Sequence, residues 1–352
     1  MSVLSRVTER ILVNQHLQSA LTDLPIPLVI TNQFAYRPTS STTAALVSIF
    51  AKVTELLKTN DFVHCITFDY SKAFDTLSHH AVSTKLSQLN IPSSIHNWII
   101  DYLSDRTHLT QQGLDLSSSL SINASIVQGS VLGPNLFNIN STELAPLSPD
   151  NFYYKYADDA YLLVPSSNDH TILSEIQHHS QWALLCNLKL NPTKTAEIVF
   201  PAKKRLSPPP LVPGVQRVIT LKILGVLVDS NLNFIDNSQN SILACNRSLF
   251  ALRTMRMHGL SDNLLNQVFK ATVLPKLLYA GPSWMGFINF SIIDRYEAFL
   301  RRAVRFGYYN TTDPTFRSLI TKAENKLFDK VLQNESHVLF FLLPEKNLNP
   351  TN

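Results

Sequence analysis

The sequence has little cysteine, little glycine and little charge. Only three cysteines occur in 352 residues, and Cys65, Cys186 and Cys245 stand far apart in apolar surroundings. That spacing excludes a zinc knuckle and a disulfide framework, and it points to buried free thiols in a reducing, intracellular compartment. Nine glycines face nineteen prolines, so stiff turns and sharp helix ends are expected rather than flexible tracts. Charged residues make up 16 % against 45 % apolar, which excludes a disordered chain and, at this length, suggests two or three subdomains. No apolar run reaches membrane-spanning length. Met1 is followed by an amphipathic pattern rather than a signal peptide. The net charge of +4 admits a nucleic-acid partner without demanding one.

Along the chain, Leu4, Val7, Ile11 and Leu12 recur at helical spacing and predict a helix over 3–21, ended by Pro25 and Pro27. A run of N-cap residues, 39–43, leads into a helix carrying Leu46, Ile49, Phe50, Val53 and Leu57. Residues 62–68 read as a buried strand that delivers Asp69 at its C-terminal end, and 71–75 turn the chain into a helix up to Leu89. Another helix carries Ile95, Trp98, Ile99 and Leu103, and 107–127 read as a hairpin. The loop 128–134 feeds a helix holding Leu136, Phe137 and Ile139. Ile172, Ile176, His179, Trp182 and Cys186 make an amphipathic helix, followed by a strand over 196–200. The basic, proline-rich run 201–210 is the strongest linker signal. Two short strands lie around Lys222 and Gly225, and from Ile235 onward nearly everything reads as helix.

One stretch stands out chemically. In Asn151–Val164 two adjacent carboxylates, Asp158 and Asp159, sit between aromatic, strand-forming runs, as at the tip of a hairpin. Paired acids are ordinary turn residues. They also repel and raise each other's pKa, a cost that a divalent cation removes. If the strands share one antiparallel sheet, Asp69 joins them at its edge. Such a carboxylate set suits two metal ions about 3.5–4 Å apart in phosphoryl transfer, and oxygen ligands with open positions suit Mg²⁺.

Three segments in order, Ile66-Thr-Phe-Asp-Tyr-Ser-Lys-Ala-Phe-Asp75, Gln128-Gly-Ser-Val-Leu-Gly-Pro134 and Tyr156-Ala-Asp-Asp159, resemble the reverse transcriptase of non-LTR (LINE-type, jockey-like) retrotransposons. Phe34–Pro38 with Ser41–Thr43 is similar to that family's fingers-side motif. Residues 188–195 resemble the motif after the catalytic hairpin, 221–226 the primer-grip strand, and 249–304 the helical thumb. The resemblance implies an α+β right-hand polymerase, its palm an antiparallel sheet backed by helices. It places partial fingers and palm over 1–205, a linker with primer-grip-like strands over 206–234, and a helical thumb and C-terminal region over 235–352. It implies RNA-directed DNA synthesis from a primer 3′-OH with dNTPs, in the nucleus and/or cytoplasm, with two Mg²⁺ ions that Mn²⁺ can replace. Partners would be an RNA template and a DNA primer, and no membrane. Asp69, Asp158 and Asp159 match the catalytic, metal-binding triad, with the Tyr70 carbonyl completing one metal shell. Phe74 matches the aromatic under the sugar, Gln128 and Gly129 the loop over the nucleotide, and Lys194 the lysine that protonates pyrophosphate. Arg37, Leu224 and Gly225 fall on template and primer contacts.

Plainer readings stand beside these. Phe74 could be core, Lys194 a solvated turn lysine, and Arg37 a partner for a carboxylate. Asp75 reads as a helix cap or backbone acceptor, and His64 as a satisfied half-buried histidine. His79-His80 and His178-His179 read as surface or groove residues, and 203–205 as solvated linker charge or a phosphate contact. The sequence also departs from the family. Ile126-Val127 stands where Val-Pro is usual, and Asn140-Ser-Thr-Glu143 replaces an Asn-Asp pair. Upstream finger segments and an endonuclease are expected before Met1 in full-length relatives, so the chain reads as a truncated copy. The alternative function is an inert element remnant that binds nucleic acid.

Overall fold

The computed structural model describes residues 2–22, 32–203 and 206–344. The expected helix end at Pro25 and Pro27, and Lys204 and Arg205 of the basic run, lie outside the described residues. The chain forms two compact units, each discontinuous in sequence. The first comprises Met1–Arg37, His64–Glu197 and Pro209–Arg217; the second comprises Pro38–Val63, Ile198–Pro208 and Val218–Asn352.

Helix α1 (Val3–Leu12) passes through a π turn (Val13–Leu17) into α2 (Gln18–Thr22). The helix is where the spacing predicts it, but of the Leu4, Val7, Ile11 and Leu12 stripe only Leu12 is buried. Leu4 is 80 % exposed, and Val7 and Ile11 also point outward, whereas Glu9, Leu12, Val13 and Leu17 are buried. Helix α3 (Thr42–Leu56) is capped by Ser41, whose Oγ accepts from Ala44 N at 3.1 Å. Strand β1 (Phe62–Phe68) follows. The single helix expected up to Leu89 is split into α4 (Ala73–Thr76) and α5 (His79–Leu86), because Ser78 starts a new helix by accepting from Ala81 N. Helix α6 (Ser93–Leu103) precedes the 107–127 hairpin, built of two short ladders, 107–108 with 120–121 and 111–112 with 115–116. Helix α7 (Leu132–Asn140) leads to β2 (Phe152–Tyr156) and β3 (Asp159–Pro165), then α8 (Ile172–Leu185), β4 (Ala196–Pro201) and β5 (Gln216–Arg217).

The sheet order is β2-β3-β1-β4-β5. Strands β2 and β3 are antiparallel, but β5 runs parallel to β4, so the sheet is mixed rather than antiparallel throughout. The reason is a buried ion cluster. Glu197 on β4 accepts from Arg217 Nε at 2.7 Å and lies 2.5 Å from His64 Nδ1. The Arg217 guanidinium also donates to the Pro209 and Pro210 carbonyls, which draws the linker back along β4. Burial alone would raise the Glu197 pKa; hydrogen bonds and charge from His64 and Arg217 outweigh that and hold it below the usual carboxylate range. His64 is thus paired through Nδ1, and fully rather than half buried. All three cysteines are free and buried, also as expected.

Behind the sheet, His179 of α8 corrects the surface reading, being 0 % exposed. Its ring stacks on Phe68 at 3.7 Å, Nε2 meets the Tyr70 hydroxyl at 2.6 Å, and Nδ1 meets the Tyr153 hydroxyl at 3.2 Å. Two phenols satisfy both ring nitrogens, so the neutral ring can lie among aromatics at little cost. In the second unit, β6 (Thr220–Ile223) and β7 (Val226–Asp229) form a hairpin, and the rest is helical as expected: α9 (Ile235–Met257), α10 (Asp262–Thr272), α11 (Leu274–Leu277), α12 (Gly281–Trp284), α13 (Phe290–Arg305) and α14 (Phe316–Leu332). Phe50 of α3 packs edge-on against Phe234 at 5.2 Å, which joins Phe287 and Trp284 in that unit's aromatic core.

Burial, with the positive charges of His178 and Lys155 adding to it, pushes His179 down to about 3. Its folded pKa lies below the unfolded value near 6.5, so the unfolded chain takes up the proton first. Wild type should therefore lose stability as pH falls from about 6.5 toward 3, at up to about 1.4 kcal/mol per pH unit relative to His179→Phe. Denaturant unfolding of both proteins across that range checks this; parallel pH profiles would refute it.

Candidate active site

Strand β1 carries Asp69 to the sheet edge, where the chain makes one bridge before turning away. Tyr70 opposes Leu190, Ser71 N donates to Lys189 O at 2.8 Å, and Asn191 N donates to Asp69 O at 2.8 Å. In this antiparallel pattern Tyr70 is the residue whose own carbonyl the bridge leaves out. Asn191 then builds a turn, its Oδ1 accepting from Thr193 N and Thr193 Oγ1, and Lys194 N donates to Asn191 O. That turn brings Lys194 Nζ to 3.4 Å from Asp69 Oδ2. Among the described residues, Lys194 faces this buried carboxylate oxygen as an ion pair, and no donor makes a hydrogen bond to it.

The other two acids sit at the β2–β3 tip. Tyr156 pairs with Asp159, leaving Ala157 and Asp158 as the loop. Ala157 adopts φ +55°, a left-handed conformation that costs a non-glycine residue roughly 1–2 kcal/mol. It is held there by Gln33, whose Oε1 accepts from Ala157 N at 3.1 Å and from Ala35 N at 3.0 Å. Phe34 N donates to Lys155 O at 2.8 Å, fixing the same segment to β2. Lys155 is buried, and its ammonium donates to the Ser141 and Leu144 carbonyls at 2.7 and 3.0 Å; burial pushes its pKa down to about 7.

The acids feel one another. Burial first, then the charges of Asp158 and Asp69, push Asp159 up to about 6, against the opposing effect of Lys194. Asp158 is raised by burial and by Asp69, partly offset by a backbone hydrogen bond. Tyr36, at φ +58°, faces the same tip, its phenol pKa raised by burial and then by Asp158 and Tyr156. Among the described residues no three His, Cys, Asp or Glu side chains form a ready-made metal cage. What the edge offers is two carboxylates raised by burial and neighbouring charge, beside Asp69 with an oxygen that no described residue donates to. That fits a hard cation taking few protein oxygens and completing its shell from a substrate.

The structure brings Asp69, Asp158, Asp159 and Lys194 into one electrostatic group. Gln128 Nε2 donates to Asp75 Oδ1 at 2.8 Å, so Asp75 holds a side chain rather than capping a helix or meeting backbone. Gly129 takes φ +79° in that loop. Phe74 stacks on Phe137 at 4.8 Å while remaining partly exposed. Arg37 Nη1 donates to Gln33 O at 3.2 Å. Leu224 and Gly225 form the β6–β7 turn in the second unit, both at positive φ, and Tyr279 donates its hydroxyl to Leu224 O at 2.9 Å. Gln33 and Tyr36 were missed as site residues. Tyr36 lies in the 34–38 segment singled out above and Gln33 directly before it, but no spacing shows that the amide at 33 reaches residue 157.

Residues 1–228 match the family described as Reverse transcriptase (RNA-dependent DNA polymerase). The chain belongs to the reverse transcriptase family. It is similar to the probable RNA-directed DNA polymerase from transposon BS of Drosophila melanogaster, 24 % identical over 380 residues, covering 99 % of this chain and 41 % of that protein. It is also similar to the RNA-directed DNA polymerase from mobile element jockey of the same fly, 26 % identical over 296 residues, covering 78 % of this chain and 31 % of that protein. These relatives are LINE-type reverse transcriptases, and the chain spans well under half of their length. A solved telomerase from Candida tropicalis, in complex with a fragment of telomeric RNA, matches 97 % of this chain and 53 % of its own, with a TM-score of 0.50 at 14 % identity. That likeness speaks for the fold, the right-hand polymerase expected from the motifs. Membership in a reverse transcriptase family implies a divalent cation. Among the described residues no helix is long and apolar enough to cross a membrane.

If the carboxylates repel as described, metal-free Asp159→Asn should melt higher than wild type by roughly 2–4 °C at pH 8. Millimolar MgCl₂ should raise the wild-type Tm and leave that of Asp69→Asn unmoved. Differential scanning fluorimetry reads both; a Mg²⁺ response unaffected by Asp69→Asn would remove Asp69 from the site.

Proposed function

We propose that this reverse transcriptase extends a primer 3′-OH with dNTPs on an RNA template, as in non-LTR retrotransposition, at the sheet edge formed by Asp69, Asp158 and Asp159. The observation that carries the reading is the electrostatic group itself. Three carboxylates share one edge at the cost of raised pKa values for Asp158 and Asp159, beside Lys194, in a chain whose family copies RNA into DNA.

Asp69 and Asp158 would be the main ligands of two Mg²⁺ ions, for which Mn²⁺ can substitute, with Asp159 and the Tyr70 carbonyl alongside. When bound, such ions lower the pKa of an attacking hydroxyl and neutralise charge on the leaving pyrophosphate. The chain's own residues supply position. Lys194, beside Asp69, would hand a proton to pyrophosphate. Gln128, fixed by Asp75, and Gly129 offer a side-chain amide and a loop against an incoming dNTP. Phe74, braced by Phe137, would lie under the sugar and crowd a 2′-OH. Arg37 is assigned to the template, and Leu224 and Gly225 to the primer end. We keep the subdivision into partial fingers and palm over 1–205, linker and primer-grip strands over 206–234, and thumb with C-terminal helices over 235–352. An intracellular setting, nucleus and/or cytoplasm, follows from the same reading.

Asp158→Asn should abolish Mg²⁺-dependent extension of oligo(dT) on poly(rA) while leaving the far-ultraviolet circular dichroism spectrum unchanged. Equal incorporation by mutant and wild type would end the triad assignment. Salt-sensitive RNA binding with no extension in Mg²⁺ or Mn²⁺ would instead select the inert, nucleic-acid-binding remnant. Phe74→Ala should raise the ratio of ribonucleotide to deoxyribonucleotide incorporation about tenfold or more. An unchanged ratio would make Phe74 a core residue only.

A further inference from the structure

The start of α7 has a complete hydrogen-bond account, and one of its members comes from the far end of the first unit's sequence. A helix begins with backbone N–H groups that have no partner within it. Here Gly133 N donates to Ser130 Oγ at 2.8 Å, and Pro134 has no N–H to satisfy. Val131 N and Leu132 N both donate to Glu9 Oε2, at 2.7 and 3.0 Å. Val131, at the cap position itself, makes no side-chain cap bond.

Glu9 is 1 % exposed. Burying a carboxylate is costly unless hydrogen bonds answer it, and α1 carries Leu4, Val7 and Ile11 as cheaper residues to bury. The helix nevertheless turns them outward and Glu9 inward. Two charge-assisted bonds and the positive end of α7 are what the buried carboxylate gains. The loop it reaches is already tight. Ser130 N donates to Val127 O, Ile126 N donates to Phe74 O at 2.7 Å, and a Cβ at Gly133 would stand 2.3 Å from Ile126 Cγ2. From the other side Asp75 holds Gln128.

We infer that Glu9 is a positioning residue for the nucleotide loop: its carboxylate fixes the first turn of α7, and through it the place of Gln128 and Gly129 against an incoming dNTP. The inference rests on the reading of Gln128 and Gly129 given above. It separates Glu9 from a residue that only stabilises the fold, because the two roles differ in what they do to dNTP and to primer–template.

The test is steady-state extension on poly(rA)·oligo(dT) by the full chain, with amide hydrogen exchange of the peptide spanning 126–133. Glu9→Ala should raise the KM for dTTP about tenfold and leave the KM for primer–template within about twofold. The same variant should speed exchange in the 126–133 peptide. Glu9→Gln keeps an acceptor oxygen at the same reach and should restore both readouts. Wild-type dTTP KM in Glu9→Ala, an equal rise in both KM values, or unchanged loop exchange would overturn the inference. Gln128→Ala is measured alongside. If it leaves the dTTP KM untouched, or if wild type extends nothing, the nucleotide role of the loop falls and the inference falls with it. In that case the exchange data still tell whether Glu9 fixes the loop, so the two failures are distinguishable.

Discussion

Repulsion among three carboxylates at one sheet edge is the constraint on which the first unit depends. The charge of Asp69 raises the proton affinity of Asp158, and both raise that of Asp159, so neither β1 nor the β2–β3 hairpin gains anything by bringing the three together. The proximity is imposed by hydrogen bonds made elsewhere. Asn191 ties the Asp69 backbone and turns Lys194 back toward it. Gln33 holds the strained Ala157 from outside the hairpin. His179, wedged under Tyr70 and Tyr153, locks the neighbouring strands from behind. Strain of this kind persists only where the surroundings over-determine it.

The same economy runs through the interior. This chain has few charges, yet several are buried, and each answers backbone rather than forming a surface pair. Glu175 accepts from Leu147 N and Ser148 N, and Lys155 donates to the Ser141 and Leu144 carbonyls. Glu9 accepts from the first amides of α7. Glu197 is the exception, gathering His64 and Arg217 into an ionic cluster. Breaking one member of such a buried set typically costs about 3–5 kcal/mol, because the remaining charge is left unanswered. These groups fix where loops start and stop, which is what a site at a loop-rich edge requires.

Periodicity and motif order were enough to read the elements that carry the acids. The strand over 62–68, the hairpin around Asp158 and the helical C-terminal region all follow from local patterns that tertiary packing reinforces. What escaped was long-range and polar. The apolar stripe Leu4–Val7–Ile11 marks a helix correctly and its buried face wrongly, because a carboxylate's bond to amides more than a hundred residues away outweighs hydrophobic burial there. His179 lay on the apolar stripe of its own helix, yet its residue type argued for the surface; two phenols it could not be seen to meet decide the matter. The parallel edge strand was illegible for the same reason, since nothing in the Pro-rich run shows that Arg217 will grip its carbonyls. The three acids were legible in residue types; the supports from Gln33 and Glu9 were not.

The sheet order has a consequence for how the chain comes into being. β1 is central, but its neighbours β3 and β4 are synthesised long after it, and the edge strand β5 later still. The first unit draws on three separate stretches of chain, interleaved with the second. A ribosome must therefore pass Pro165 before the apolar β1 has its first neighbour, Pro201 before it has both, and Arg217 before the sheet can close. Long-range pairings of this kind fold slowly and leave hydrophobic edges open meanwhile. A nascent chain of this protein is thus a natural client for chaperones.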